Sequence, residues 1–154
     1  MDFQTWTKFF GKSQDDADLK TALTAVGVKE IPKLDDDETF VQIELKGQGL
    51  ELILTDESIL KEIEDQDLGE GPLIVSGVLA KLGKSQGRDL YTGPLPSGIT
   101  AAMSQPEMRK LLGKPNESDI DVDIWKKGDV EISVDYTKGG TALSALSVML
   151  PNAL

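Results

Sequence analysis

The last third of the chain alternates apolar and polar residues, and this pattern constrains the fold more than any other feature. Residues 119–124 alternate aspartate with isoleucine or valine, and residues 130–136 repeat the alternation. The turns Lys127-Gly128-Asp129 and Lys138-Gly139-Gly140 follow these two segments, and a third apolar segment covers 143–150. Because successive side chains of a strand point to opposite faces, a period of two predicts strands with one buried face and one solvated face. The sequence therefore predicts a three-stranded antiparallel meander with its aspartates in solvent.

The rest of the chain predicts short helices and further strands. Helical spacing of apolar residues predicts one helix before Gly11 and a second that Gly27 ends, with N-cap candidates from Ser13 to Asp16. Strands are predicted at 40–45, 50–54 and 73–79, the last buried on both faces, and a short exposed helix at 56–68. Ser104 and Glu107 have the spacing of a capping box and predict the start of a further helix. The predicted fold class is α+β.

The predicted elements fall into two helix-then-antiparallel-strand units, 1–82 and 91–154, joined by the Gly/Pro-rich loop 83–98. Both units contain a helix end followed by a Gly-Lys step, Phe9-Phe10-Gly11-Lys12 and Leu111-Leu112-Gly113-Lys114, which suggests an internal repeat. A unit of this size is marginally stable alone. We therefore expect residues 1–154 to form a single domain in which the two units share one sheet and one core.

The composition excludes several classes of chemistry. The chain has no cysteine and no histidine. Disulfides, Cys/His zinc sites and histidine-activated nucleophiles are therefore absent, and we predict that the protein is not an enzyme. Asp119, Asp121 and Asp123 have the spacing that begins a calcium loop, but Ile124 and Val130 stand where that loop needs glycine and glutamate. No metal or cofactor is predicted.

The negative charge of the chain is concentrated in one segment. The formal net charge is -11, and residues 35–70 contain 13 acidic residues and two lysines, so the rest of the chain is neutral. Such a charge argues against nucleic acid or an anionic membrane as partner. A charge run of this kind is either a solvated face that keeps the protein soluble or a docking surface for a cationic protein. Its concentration within 36 residues favours the docking surface.

The residues predicted to bind a partner follow from this charge distribution. The first candidates are the acidic residues of the charged segment, and the aspartates of the meander are a second option on the sheet. The sequence does not choose between these two faces. Tyr91, beside the Gly/Pro-rich loop, is predicted to be partly exposed and to act as an aromatic anchor. The full set is Asp35, Asp36, Asp37, Glu57, Glu62, Glu64, Asp65, Tyr91, Asp119, Asp121 and Asp123.

The N-terminal sequence predicts a cytoplasmic protein. An acidic residue at position 2 and the lack of an apolar stretch behind it do not fit a secretory signal. The longest nearly apolar run, 73–80, is too short to span a bilayer.

Motifs along most of the chain resemble those of a known group of proteins. They include Phe10-Gly11-Lys12-Ser13 near the start, a nine-residue segment from Tyr91-Thr92-Gly93-Pro94 to Ile99, and Leu112-Gly113-Lys114-Pro115 followed by Asp123-Ile124-Trp125. This combination resembles the small acidic bacterial immunity proteins of polymorphic toxin and contact-dependent growth inhibition systems. The layout is also similar to the outer-membrane assembly lipoprotein fold and to tandem-repeat protein inhibitors of β-lactamase.

The resemblance implies a function in protein binding. It implies that the chain neutralises a cognate toxin domain by stoichiometric binding, and a basic toxin of nuclease type would complement the acidic segment. The alternative is a non-inhibitory adaptor or assembly factor of similar architecture that binds a cationic protein.

Overall fold

The computed structural model describes residues 2–86 and 89–154, apart from the side chain of Ser85. Within these residues the chain has four α-helices and seven strands. The helices are α1 (Phe3–Thr7), α2 (Ala17–Ala25), α3 (Glu57–Leu60) and α4 (Gln105–Leu112). The strands are β1 (Phe40–Leu45), β2 (Leu50–Asp56), β3 (Leu73–Lys81), β4 (Glu117–Asp119), β5 (Val122–Lys127), β6 (Val130–Tyr136) and β7 (Leu143–Met149).

The described strands form one antiparallel sheet in the order β1-β2-β3-β7-β6-β5-β4. The predicted meander is confirmed as β5-β6-β7, and β7 pairs with β3, so the sheet runs through both predicted units. The predicted α+β class is confirmed, with the sheet as the larger part. Gly87, one glycine of the predicted linker 83–98, lies outside the described residues.

The core lies between the helices and one face of the sheet. Phe3 and Trp6 of α1, Leu19 of α2 and Met108 of α4 are fully buried in a cluster with alternate residues of the strands. β3 lies between β2 and β7, and nearly all its residues are buried, as the sequence predicts. The longest described helix, α2, has nine residues, and none of the helices could traverse a bilayer.

Local capping signals give the helix starts that the sequence predicts. The Asp16 carboxylate accepts a hydrogen bond from the Leu19 N–H (3.0 Å) and begins α2. Ser104 and Glu107 form both hydrogen bonds of a capping box at the start of α4. The capping box has a sequence signature three residues apart and is confirmed as predicted, whereas the structure selects Asp16 among the N-cap candidates at 13–16.

The prediction of a helix over 56–68 is wrong beyond residue 60, since α3 ends at Leu60. Glu62 has a positive φ of 53°, which a continuing helix cannot contain. Downstream, the Gly69 N–H donates to the buried carboxylate of Asp56 (2.9 Å), which folds the chain back towards the start of α3. Residues 61–70 are therefore a series of turns.

Candidate protein-interaction site

Two acidic segments that are far apart in sequence meet at one end of the sheet. The Asp56 N–H donates to the Thr39 carbonyl (2.9 Å), so the loop before β1 lies beside the start of α3. The Glu57 N–H donates to the Pro72 carbonyl (3.1 Å), which closes the segment after β2 into a loop. We call residues 35–38 and 57–70 together the acidic end; they contain ten acidic residues and one lysine.

Most of the predicted binding residues in the acidic end are exposed. Glu57 is half-buried, and its carboxylate contacts Lys61 Nζ (3.4 Å) and accepts a hydrogen bond from Gln66 Nε2 (3.2 Å). The remaining six side chains lie in solvent: Asp35, Asp36, Asp37, Glu62, Glu64 and Asp65.

Apolar side chains lie among these carboxylates. Ile59 is 37% exposed and Leu68 is 40% exposed, and both are surrounded by charged residues in the sequence. A shallow depression beside α3 is lined by Ser58, Ile59, Glu62, Ile63 and Glu64. Apolar contacts inside a charged rim are the usual anatomy of a protein interface.

The acidic end is held in place by a buried carboxylate that the sequence analysis did not single out. Asp56 is fully buried and accepts hydrogen bonds from the Ser58 N–H (3.1 Å), the Ser58 hydroxyl and the Gly69 N–H (2.9 Å). An aspartate at a strand end, two residues before a serine, is a capping signal that identifies this role in retrospect. Asp56 therefore fixes both ends of the loop that carries most of the acidic residues.

The second group of predicted binding residues lies elsewhere on the sheet. Asp119 and Asp121 are exposed at the β4–β5 turn, on the opposite edge of the sheet from β1. The register puts this turn at the opposite end of the strands from the acidic end. Val122 pairs with Asp135 and Asp135 with Ala145, and Ala145 pairs with Lys81 at the end of β3. The acidic end lies beside Leu73, the other end of β3. The structure therefore separates the two predicted faces.

The prediction that Asp123 faces solvent is wrong. Asp123 and Trp125 are fully buried on the same face of β5, while Ile124 points to the other face and Ile120 is exposed. Burying the large Trp125 side chain fixes the orientation of the strand, and the period of two then turns Asp123 inward as well. Asp123 is not part of a docking surface.

Asp123 is instead the centre of a hydrogen-bond network. Its carboxylate accepts hydrogen bonds from Arg109 Nε (3.0 Å) and Nη2 (2.9 Å), the Ser118 hydroxyl (2.8 Å) and the Tyr136 hydroxyl (3.0 Å). Burial by itself raises the pKa of Asp123, but these hydrogen bonds outweigh burial and hold the pKa below its ordinary value. Burial also raises the pKa of Tyr136, and the hydrogen bond to Asp123 adds to that effect. The network joins α4 to three strands.

The prediction that Tyr91 is an exposed anchor is also wrong. The side chain is buried, its hydroxyl accepts a hydrogen bond from the Phe3 N–H (2.9 Å), and it donates to the Pro94 carbonyl (2.6 Å). Burial raises the pKa of Tyr91, and the hydrogen bond from Phe3 opposes part of that rise. Tyr91 connects the loop before α4 to the first turn of α1.

Replacing Tyr91 with phenylalanine tests this structural role. Tyr91→Phe leaves the Phe3 N–H and the Pro94 carbonyl without their partner, and we expect the free energy of unfolding to fall by about 1–2 kcal/mol. Urea unfolding measures this change. A variant with unchanged stability but weaker binding to a partner would instead make Tyr91 an interface residue.

Among residues 2–86 and 89–154, no three acidic side chains converge closely enough to hold a metal ion.

Comparisons with known proteins give this chain no family and no function. No protein-family model and no curated protein matches the sequence. Among solved structures, the chain is similar to the DUF4309 family protein YjgB from Bacillus subtilis subsp. subtilis str. 168. The two share 12% sequence identity with a TM-score of 0.47, over 92% of this chain and 80% of that chain. A likeness this remote says nothing about what this chain binds.

Proposed function

We propose that this protein is a cytoplasmic immunity protein that neutralises a basic toxin domain of nuclease type by stoichiometric binding. The observation that supports this proposal is the acidic end, which carries ten acidic residues, one lysine and the exposed apolar side chains of Ile59 and Leu68. Neither a solvated face nor a solubility function requires Ile59 and Leu68 to be exposed there.

Electrostatics makes a cationic protein the natural partner of the acidic end. The clustered carboxylates repel one another, and positive side chains of a partner relieve this repulsion. Complementary fields raise association rates by roughly 10–10³ and weaken as salt screens them. A nuclease binds a polyanion, so its cleft is basic, and carboxylates can occupy the positions of phosphates in that cleft.

The proposal includes the two-unit organisation of the chain. The first unit contributes β1–β3 and the second contributes β4–β7 to one sheet. Gly113 is the C-cap of α4, whereas Gly11 lies four residues after the end of α1 at Thr7. The Gly-Lys steps at 11–12 and 113–114 are therefore the sequence basis of the proposed internal repeat.

Co-expression with the polypeptide encoded beside this chain tests the function. We expect that polypeptide to be toxic alone, and the chain to rescue growth and co-purify with it in a 1:1 complex. Binding without rescue would contradict inhibition and make the protein a non-inhibitory adaptor. A neighbouring polypeptide that is neither toxic nor bound would contradict the immunity proposal altogether.

Charge reversal tests the location of the site. We expect the triple variant Glu62→Lys, Glu64→Lys, Asp65→Lys to associate with the toxin at least about tenfold more slowly at low salt. The difference should shrink as salt is raised, because these side chains are exposed. Stopped-flow association at several salt concentrations measures both effects.

A matched control reverses the same charge at the other end of the sheet. Glu117, Asp119 and Asp121 are also exposed, and changing all three to lysine gives the same net charge. We expect this control to associate nearly as fast as the wild type. If only the control is slowed, the toxin binds at the β4–β5 hairpin and the acidic end is not the site.

A further inference from the structure

The tip of the β4–β5 hairpin presents an apolar side chain to solvent. Ile120 is 86% exposed, well above the other large hydrophobic side chains of the described residues that reach the surface. Asp119 and Asp121, both exposed, flank it in the sequence. Neither carboxylate forms an ion pair within residues 2–86 and 89–154.

Neither burial nor turn geometry accounts for isoleucine at this position. Asp119 pairs with Val122, so Ile120 and Asp121 are the two residues of the turn. Hairpin turns favour glycine or asparagine where φ is positive, but neither Ile120 nor Asp121 has a positive φ, so this turn tolerates isoleucine without requiring it. Ile120 therefore exposes apolar surface that neither the turn nor the core of the described residues requires.

Hydrogen bonds fix the backbone of the hairpin tip. Ser118, two residues before Ile120, bonds to the buried Asp123 carboxylate (2.8 Å) and accepts a hydrogen bond from Arg109 Nη2 (3.0 Å). The Tyr136 N–H donates to the Asp121 carbonyl (2.8 Å), and the Asp119 carboxylate accepts the Ile120 N–H (2.8 Å). A pre-organised tip loses little conformational entropy when it binds.

We propose that this hairpin tip is a second docking surface, for a basic amphipathic segment of a protein. Ile120 packs against the apolar face of that segment, and Asp119 and Asp121 pair with the lysine or arginine side chains that border it. An anionic membrane is disfavoured because both flanking residues repel it. The tip is separate from the acidic end, since six strand spacings, roughly 29 Å, lie between β1 and β4.

Titration with a synthetic amphipathic helix of leucine and lysine tests this surface without knowledge of the natural partner. We expect the amide signals of residues 118–122 to shift in NMR spectra of the full chain. Ile120→Ser should weaken binding about tenfold, because it removes most of the apolar contact. Leu111→Ser is the matched control, since Leu111 is also an exposed apolar residue, at 44%.

The triple variant Glu62→Lys, Glu64→Lys, Asp65→Lys distinguishes peptide binding at the hairpin tip from a general attraction of the basic peptide to acidic residues. We expect it, like Leu111→Ser, to keep the shifts at residues 118–122. Equal affinity of the Ile120→Ser variant, or shifts confined to residues 57–70, would overturn the proposal. Sedimentation experiments check for self-association of the chain. Self-association that is abolished by Ile120→Ser would also overturn the proposal, because the tip would then bind a second copy of the chain.

Discussion

Replacing Gly49 with alanine is expected to lower the free energy of unfolding by about 3–4 kcal/mol. Gly49 lies in the turn between β1 and β2 with a φ of 70°, and its carbonyl accepts a hydrogen bond from the Lys81 N–H (2.8 Å). The backbone of residues 90 and 91 crosses directly over it. An added methyl carbon would overlap the Tyr91 nitrogen and the Leu90 carbonyl carbon, and would lie 2.7 Å from the Tyr91 Cα.

The clash cannot be relieved by a side-chain rotation, because the obstructing atoms belong to the backbone. Moving residues 90–91 away would break the hydrogen bond from the Tyr91 N–H to the Lys81 carbonyl (2.8 Å). It would also disturb the contact between Tyr91 and Phe3 that connects the loop to α1. Thermal unfolding followed by circular dichroism measures the loss, which corresponds to roughly 10 °C in Tm for a domain of this size.

Gly47 in the same turn is the matched control. Its φ is 76°, but no atom lies within 4 Å of the position that a Cβ would take. Gly47→Ala therefore tests the conformational cost alone, which is about 1–2 kcal/mol. Equal losses for the two variants would contradict the close approach of residues 90–91.

Replacing Asp123 with asparagine is expected to lower the free energy of unfolding by about 3 kcal/mol at neutral pH. The carboxylate accepts five hydrogen bonds, four from Arg109, Ser118 and Tyr136 and a longer one from Gln105 Nε2 (3.4 Å). An asparagine amide group would instead direct its own N–H groups at some of these donors. Urea unfolding measures the change. Asp121→Asn is the control, because it removes the same charge from an exposed position and should change stability by less than about 0.5 kcal/mol.

The effect of Asp123→Asn is expected to depend on pH. The pKa of Asp123 lies below 3.8 in the folded protein and near that ordinary value in the unfolded chain. The ionised carboxylate therefore stabilises the fold fully above the unfolded value, and this contribution is lost as the pH falls below it through the folded pKa. Because asparagine does not titrate, the stability difference between wild type and variant should shrink over that interval. A constant difference would mean that the loss comes from packing and not from the charge.

The candidate site was predictable only in part. Most acidic residues of the acidic end are exposed as the sequence predicts, because a run of charged side chains is costly to bury. The proximity of residues 35–38 to residues 57–70 depends on the pairing of β1 with β2. The path of residues 57–70 depends on the buried Asp56. The exposed Ile120 was predicted to be buried, since its alternation with aspartates looks like a strand although it occupies a turn.

The sequence alone determined the features that depend on residues a few positions apart. These are the α+β class, the two-residue periodicity of the strands, the capping box at Ser104, and the charge of residues 35–70. Only the tertiary structure decided which polar groups are buried, because the hydrogen bonds that compensate their desolvation come from distant residues. Arg109 reaches Asp123 across 14 positions and Phe3 reaches Tyr91 across 88, and no local pattern encodes such pairs.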